Sequence, residues 1–123
     1  MPPKLSSKQL TKLAVLEQFP AKFDHIHRAI EELGTLRVDE SLVRRLARML
    51  DEMKAAAASI GEGALAETLG IMGILARRGG GHQMKMRGLR ESFGSLKTNF
   101  DGAMKAATRE EPGAEEEKPT ASP

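Results

Sequence analysis

Residues 84–107 read MKMRGLRESFGSLKTNFDGAMKAA, and this stretch decides the fold. Its apolar residues recur at alternating steps of three and four, which is the spacing of a helix that lays one narrow stripe against a neighbouring helix. A helix of this kind needs partner helices, and we expect the rest of the chain to supply them. The stripe consists of Met86, Leu89, Phe93, Leu96, Phe100, Ala103 and Ala107.

Two other stretches, 16–33 and 42–60, carry stripes of the same spacing. A further helix is predicted over residues 64–78, and because residues 69–76 include no charged side chain, we expect it to be the most completely buried. The pattern therefore predicts an all-α fold, an antiparallel bundle of four or five helices over residues 6–108. The predicted stripes are Leu16, Phe19, Phe23, Ile26, Ile30 and Leu33 in the first stretch, and Leu42, Leu46, Met49, Met53, Ala56 and Ile60 in the second.

Capping and helix-breaking residues predict where the helices of the first stretches begin and end. Ser6 or Ser7 can cap a first helix, whose inner side should carry Leu10, Leu13 and Leu16. Pro20 interrupts the apolar pattern without shifting it, which favours either a kinked helix or two helices stacked end to end. Gly34 should end this part of the chain in a left-handed conformation.

The composition excludes several classes of protein. The 123 residues contain no Cys, which excludes a disulfide scaffold and thiolate chemistry. The amino terminus lacks the apolar run of a signal peptide, and the longest apolar run, 69–76, is far shorter than the roughly 20 residues of a membrane span. We therefore predict a cytoplasmic protein with no membrane span, no metal and no cofactor.

Charge is distributed unevenly along the chain. Residues 1–76 carry ten basic and ten acidic side chains, residues 77–109 carry eight basic and two acidic ones, and residues 110–123 carry five Glu and one Lys. Residues 1–5 and 109–123 are predicted to be disordered, the latter as an acidic tail without large apolar residues. The basic segment predicts an acidic protein or a nucleic acid as partner, although a solvated helix face explains it equally well.

The helix predicted over 82–108 is the candidate docking element. Its stripe either closes the chain's own bundle or pairs with another protein or a second copy, and its flanking cations could select an acidic partner helix. A glycine run precedes it and should act as a hinge. The candidate partner-binding residues are Arg87, Arg90, Lys97, Leu89 and Phe93, and the hinge residues are Gly79, Gly80 and Gly81.

Histidines offer little for catalysis or metal binding. His25 and His27 are separated by one residue, so on a helix they diverge by about 200° and cannot share a metal ion. There is no phosphate-binding loop and no nucleophile beside a histidine. The sequence therefore predicts no catalytic residues and a protein that is not an enzyme.

His82 and Lys85, three residues apart, resemble the histidine and lysine of histidine-phosphotransfer domains, which are four-helix bundles of about this length. The resemblance implies an exposed phosphoacceptor imidazole at His82, with Lys85 offsetting the phosphoryl charge. It covers these two residues only. In that family a glycine follows the lysine and the histidine lies in mid-helix, whereas here Met86 follows Lys85 and His82 follows a glycine turn.

Three functions remain open on the sequence. The favoured one is a non-catalytic protein–protein interaction module, an adaptor or small assembly subunit that works through helix–helix contacts. The first alternative is a nucleic-acid-associated protein that uses the basic segment 77–109. The second is phosphotransfer through His82.

Overall fold

The computed structural model describes residues 5–35, 40–78 and 80–109. Within these residues the chain forms five α-helices and no strand, so the predicted all-α fold is confirmed. Residues 1–4 and 110–123, which carry most of the two predicted disordered ends, lie outside the described residues, as does Gly79. The helices are α1 (Ser7–Leu16), α2 (Phe19–Glu32), α3 (Glu40–Ser59), α4 (Gly63–Arg77) and α5 (His82–Thr108).

Helices α1 and α2 together, then α3, α4 and α5, run alternately up and down, as predicted for an antiparallel bundle. The start of α1 lies at the end of α5, where Gln9 bonds the carbonyl of Arg109, and the end of α2 lies near the start of α5, where Glu31 bonds Arg90. Helices α1 and α2 therefore act as one interrupted rod that packs against α5. Helix α3 makes its most extensive contact with α4, and α4 then packs against α5.

The interruption near Pro20 is a break between two helices stacked end to end, one of the two arrangements that the sequence left open. Helix α1 ends at Leu16, and α2 begins at Phe19 with the proline in its first turn. A proline is tolerated there because the first amides of a helix have no partner within that helix. The apolar side chains continue to face the core across the break, from Leu16 to Phe23.

Helix α1 begins at the predicted cap, with one addition and one correction. The Ser6 hydroxyl accepts from the Gln9 amide at 3.1 Å, and the Gln9 side chain accepts in return from the Ser6 amide at 2.9 Å. This reciprocal capping box fixes the first turn. The expected inward position of Leu10 was wrong, because 56% of its surface is exposed.

The turn between α3 and α4 is built around Gly61. The Glu62 amide donates to the Ala57 carbonyl and the Gly61 amide donates to that of Ala58, which together form a Schellman motif. The motif places Gly61 at a φ of 74°, a left-handed conformation that a side chain resists. Gly61 therefore ends α3 and reverses the chain.

Gly34 does not adopt the left-handed conformation expected of it. Among the described glycines only Gly61 and Gly80 have positive φ. A Cβ atom at Gly34 would lie 2.5 Å from the sulfur of Met86. The glycine is therefore used for close approach to α5, and not for its backbone freedom.

The buried face of α3 is rotated slightly from the predicted stripe. Leu42, Leu46 and Met53 are buried as expected, but Leu50 and not Met49 fills the centre of the face. The reason is that α3 packs against α2 on one side and α4 on the other, so its buried face is wider than a two-helix seam. Ala47 and Ala57 extend this face.

An aromatic cluster joins α2 to α5 in the core. The Phe23 ring meets those of Phe93 and Phe100 edge-on at 5.8 and 5.2 Å, and Phe19 stacks on Phe100 at 6.0 Å. These geometries are favourable for aromatic pairs. The stripe on α5 thus closes the chain's own bundle, the first of its two predicted uses.

None of the helices within the described residues has the length and apolar character needed to cross a membrane.

Candidate interaction surface

The outer face of α4 is the most apolar exposed feature of the described structure. Within the described residues, helix α4 packs extensively against α3 and α5 only, so no other described helix covers the side that faces away from both. Ile71 and Ile74 lie on that side with 49% and 62% of their surfaces exposed. Helix α4 still has the smallest share of exposed residues among the five described helices, as expected, although this one side is uncovered.

A shallow groove of about 800 Å³ runs between this face and α3. Its rim on the α3 side carries Asp51 and Lys54, and its ends along α4 carry Glu67 and Arg77. An apolar floor with charged ends is suited to the side chains of a docked helix. We call this surface the α4 face; it consists of Gly63, Ala66, Glu67, Gly70, Ile71, Ile74 and Arg77 with Asp51 and Lys54.

Arg77 and Asp51 form an ion pair that holds both side chains in place. The Arg77 guanidinium donates two hydrogen bonds to the Asp51 carboxylate, and this contact raises the pKa of Arg77. Gly73 leaves room for the pair, because a Cβ atom there would lie 3.2 Å from the Arg77 Nη1 atom. The guanidinium is thereby held at one end of the groove while half of its side chain remains exposed.

Gly70 forms a notch in the middle of the α4 face. The side chain of Lys54 crosses it, and a Cβ atom at Gly70 would lie 3.3 Å from the Lys54 Nζ atom. That neighbour is the free end of a flexible chain, so internal packing does not require glycine at this position. A glycine inside a helix lowers helix propensity by roughly 1 kcal/mol relative to alanine. No packing contact of Gly70 within the described bundle offsets this loss.

The other large exposed apolar side chains stand singly. Leu10 on α1 and Met84 on α5 are exposed by 56% and 77%, and neither adjoins another large exposed apolar residue within the described ranges. Isolated apolar residues of this kind are ordinary on protein surfaces. They serve below as matched controls for Ile71 and Ile74.

Some of the predicted partner-binding residues of α5 contribute to the chain's own bundle, and the others are exposed on its surface. Leu89 has no exposed surface and Phe93 belongs to the aromatic cluster, so both lie inside the chain's own bundle. Arg90 donates two hydrogen bonds to the Glu31 carboxylate, at 2.6 and 2.9 Å, and these hold the pKa of Glu31 below its ordinary value of 4.5. Phe93 and Arg90 therefore stabilise the contact between α2 and α5, and Leu89 belongs to the core.

Arg87 and Lys97 are exposed on the outer side of α5. The Lys97 ammonium lies 5.7 Å from the centre of the Phe93 ring, where a cation–π contact is favourable. Glu91 and Asp101 are exposed as well, so carboxylates interrupt the cationic side chains along this helix. Binding of a nucleic acid or an acidic protein here stays a prediction.

The predicted phosphoacceptor, His82, is the exposed first residue of α5. It follows Gly81, which precedes the helix without a capping side chain, and the half-buried Lys85 lies one turn further on. Its position at a helix start departs from the mid-helix histidine of phosphotransfer domains. Phosphotransfer through His82 likewise stays a prediction.

The other histidines do not form a metal site. His25 and His27 are both exposed, and the His27 ring lies 5.7 Å from the Phe93 ring. Throughout residues 5–35, 40–78 and 80–109, no three His, Asp or Glu side chains come together in a way that could hold a metal ion.

Part of the predicted glycine hinge is described. Gly80 has a φ of 117°, which a residue with a side chain rarely adopts, and Gly81 directly precedes α5. The geometry explains why glycine stands at position 80, since the chain must reverse between α4 and α5. Movement about this turn stays a prediction.

The sequence did contain a signal for the α4 face. Gly63, Glu67, Gly70, Ile74 and Arg77 follow one another at steps of four, three, four and three. The uncharged run 69–76 obscured this pattern, because it reads as apolar on every side of the helix.

The chain matches no protein-family model, and comparison with curated proteins and with solved structures gives no match.

Proposed function

We propose that the chain is a non-catalytic protein–protein interaction module, an adaptor or small assembly subunit, whose docking surface is the α4 face. The observation that carries the proposal is the pair Ile71 and Ile74, exposed side by side beside the Gly70 notch. Because each isoleucine is already about half buried, a partner that covers the rest gains roughly half of the 1.5–3 kcal/mol that burial of a fully exposed side chain gives. We also propose that the protein performs this function in the cytoplasm.

The chemistry of the face favours a helix as the docked element. A groove between two helices accepts side chains spaced at three and four residues along a third helix. The exposed Glu67 at one end and the exposed Arg77 at the other would orient such a helix by its charges. Under this proposal α4 is the docking helix and α5 is a structural helix of the bundle.

The test compares the proteins captured by matched surface variants. We expect Ile71→Asp/Ile74→Asp to lose proteins that the wild type captures from an extract of its source cells. The control Leu10→Asp/Met84→Asp changes two equally exposed apolar residues elsewhere and should retain them. All three proteins must show the same helical circular dichroism. Identical capture by all three would overturn the proposal.

A further inference from the structure

The exposed stripe of α4 has the pattern of a helix that packs against a second helix. Gly63, Glu67, Gly70, Ile74 and Arg77 repeat at heptad spacing, and all five line the groove of the α4 face. The buried residues of α4 already satisfy its contacts with α3 and α5. The exposed stripe is therefore a second seam on the same helix, and no helix in the described part of the chain pairs with it.

We propose that this seam pairs with the same seam of a second copy, with the two α4 helices antiparallel about a two-fold axis. The proposal rests on the proposed function, since it names the partner of that surface. An antiparallel register centred on the level of Met72 places Glu67 opposite Arg77 of the second copy, and Gly70 opposite Ile74 of the second copy. The two-fold axis forms each of these pairs twice.

Charge decides the direction of the two helices. Glu67 makes no ion pair within the described part of the chain, and Arg77 is held in place by Asp51 with half of its side chain still exposed. In the antiparallel register each Glu67 carboxylate meets an Arg77 guanidinium that is already oriented. A parallel pair would instead place Glu67 beside Glu67 and Arg77 beside Arg77, and like charges repel.

Size supports the same register. Ile74 is a large exposed side chain, and Gly70, one turn before it, is a notch without a side chain. Opposed across the two-fold axis, each isoleucine fills the notch of the other copy, and glycine lets the backbones approach closely. The Lys54 side chain that crosses Gly70 ends in a mobile ammonium group, which can move to the rim of the pair.

The mass in solution tests self-pairing directly. We expect sedimentation equilibrium of the full chain to give twice the 13.4 kDa chain mass at high concentration. Ile74→Asp should weaken association about tenfold or more, since it places two carboxylates in the apolar contact. The control Leu10→Asp should associate as the wild type does. A wild type that stays at the chain mass up to about 1 mM would overturn the proposal, and so would an undiminished Ile74→Asp dimer.

A charge exchange tests the pairing of Glu67 with Arg77. Glu67→Arg alone places arginines opposite each other, and Arg77→Glu, made with Asp51→Asn to avoid a new repulsion inside the chain, places carboxylates opposite each other. Each variant should associate several-fold more weakly than the wild type, and an equimolar mixture should regain the dimer. The control Glu91→Arg, on α5, should have no effect. A mixture no tighter than its components would overturn the register.

Cross-linking tests the direction of the helices, and the absence of Cys from the chain makes single cysteines unambiguous. In the antiparallel register Ile71 lies beside Ile71 of the second copy, whereas the two Ala64 residues lie about 24 Å apart along the helix axis. A short bis-maleimide should therefore join Ile71→Cys chains and leave Ala64→Cys chains separate. Cross-linking of both variants would show a parallel pair and overturn the proposal.

These results separate the two proposals from each other. A monomeric wild type whose captured proteins are lost in Ile71→Asp/Ile74→Asp overturns self-pairing and leaves the α4 face a docking surface for another protein. A dimer that forms equally well in that variant overturns self-pairing through the α4 face, because association would then use a different surface, and the capture experiment alone then decides the proposed function.

Discussion

The side-chain amide of Gln9 donates a 2.7 Å hydrogen bond to the backbone carbonyl of Arg109, across 100 positions of sequence. The same amide group lies 3.4 Å from the Ala107 carbonyl, and its oxygen accepts from the Ser6 amide. Gln9 is 96% buried as a result, the only buried polar side chain among the described residues. It caps the start of α1 and the end of α5 at once.

Gln9→Ala should therefore destabilise the bundle more than an ordinary surface change. Loss of the amide leaves terminal carbonyls of α5 without their donor and removes half of the capping box, for an expected cost of about 1–3 kcal/mol. Urea unfolding followed by circular dichroism measures it. Thr11→Ala removes an exposed local hydrogen bond on the same helix and should cost less than about 0.5 kcal/mol. Equal costs would show that Gln9 does not join the two helix ends.

Gly61→Ala should destabilise the chain by about 1–2 kcal/mol, because it forces a side chain into the left-handed conformation of the Schellman motif. Gly63→Ala is the matched control two residues later. A Cβ atom at Gly63 meets nothing within 4 Å and its φ is not positive, so this change should leave stability unchanged or raise it. The midpoint of thermal unfolding distinguishes the two, and a Gly61→Ala protein as stable as the wild type would contradict the turn.

The pair Glu31–Arg90 predicts how stability changes in acid. The bonds from Arg90 lower the pKa of Glu31 in the folded chain below its ordinary 4.5, so the unfolded state binds the proton first as pH falls. The contribution of the pair is present above pH 4.5 and is lost as pH falls through the lower folded value.

The measurement is the stability difference between wild type and Glu31→Gln in urea, from about pH 6 to about pH 3. The wild type should be the more stable at the upper end, and the difference should shrink in acid. Glu91→Gln, at an exposed position of α5 that forms no ion pair with another described residue, should show no such trend. A difference independent of pH would contradict the assignment.

Truncation of Leu89 should lower the stability of the chain far more than truncation of Ile74. Leu89 has no exposed surface, so Leu89→Ala should cost about 2–5 kcal/mol through a cavity in the core. Ile74 is 62% exposed, so Ile74→Ala should change the stability of the single chain by less than about 0.5 kcal/mol. Urea unfolding at low protein concentration measures both. A large cost at Ile74 in the monomer would mean that the side chain is part of the core.

The sequence predicted the helices well because their stripes are continuous and their breaks are chemically marked. Ser6 begins α1 and Pro20 separates α2 from it, each through a local backbone effect that spacing and residue type reveal. The stripe of α5 was likewise found in the core. These features depend on neighbours in the chain, which a sequence displays directly.

The surface was harder to predict because it depends on which helices become neighbours. The run 69–76 carries no charge on any side of α4, and Ile71 and Ile74 are exposed because no third helix of the described residues packs against them. The distant partners Glu31 of Arg90 and Arg109 of Gln9 have no signal in the spacing of residues. The sequence suggested that Gly34 ends a helical stretch in a left-handed conformation. Its spacing gives no sign that Met86, 52 positions away, lies against this glycine.

Gly70→Ala separates the stability of the chain from its association. The atoms nearest to a Cβ atom at Gly70 belong to the flexible Lys54 side chain, so the gain in helix propensity should raise the stability of the monomer by about 0.5–1 kcal/mol. The same atom would occupy the notch that Ile74 of the second copy fills, so association should weaken. Sedimentation equilibrium and dilute urea unfolding measure the two effects. Gly94→Ala, at an open position of α5, should raise stability without changing association. If Gly70→Ala leaves association unchanged, as Gly94→Ala should, position 70 does not contact Ile74 of the second copy. A methyl group added to an occupied notch would have to displace the side chain that fills it, and association would then weaken.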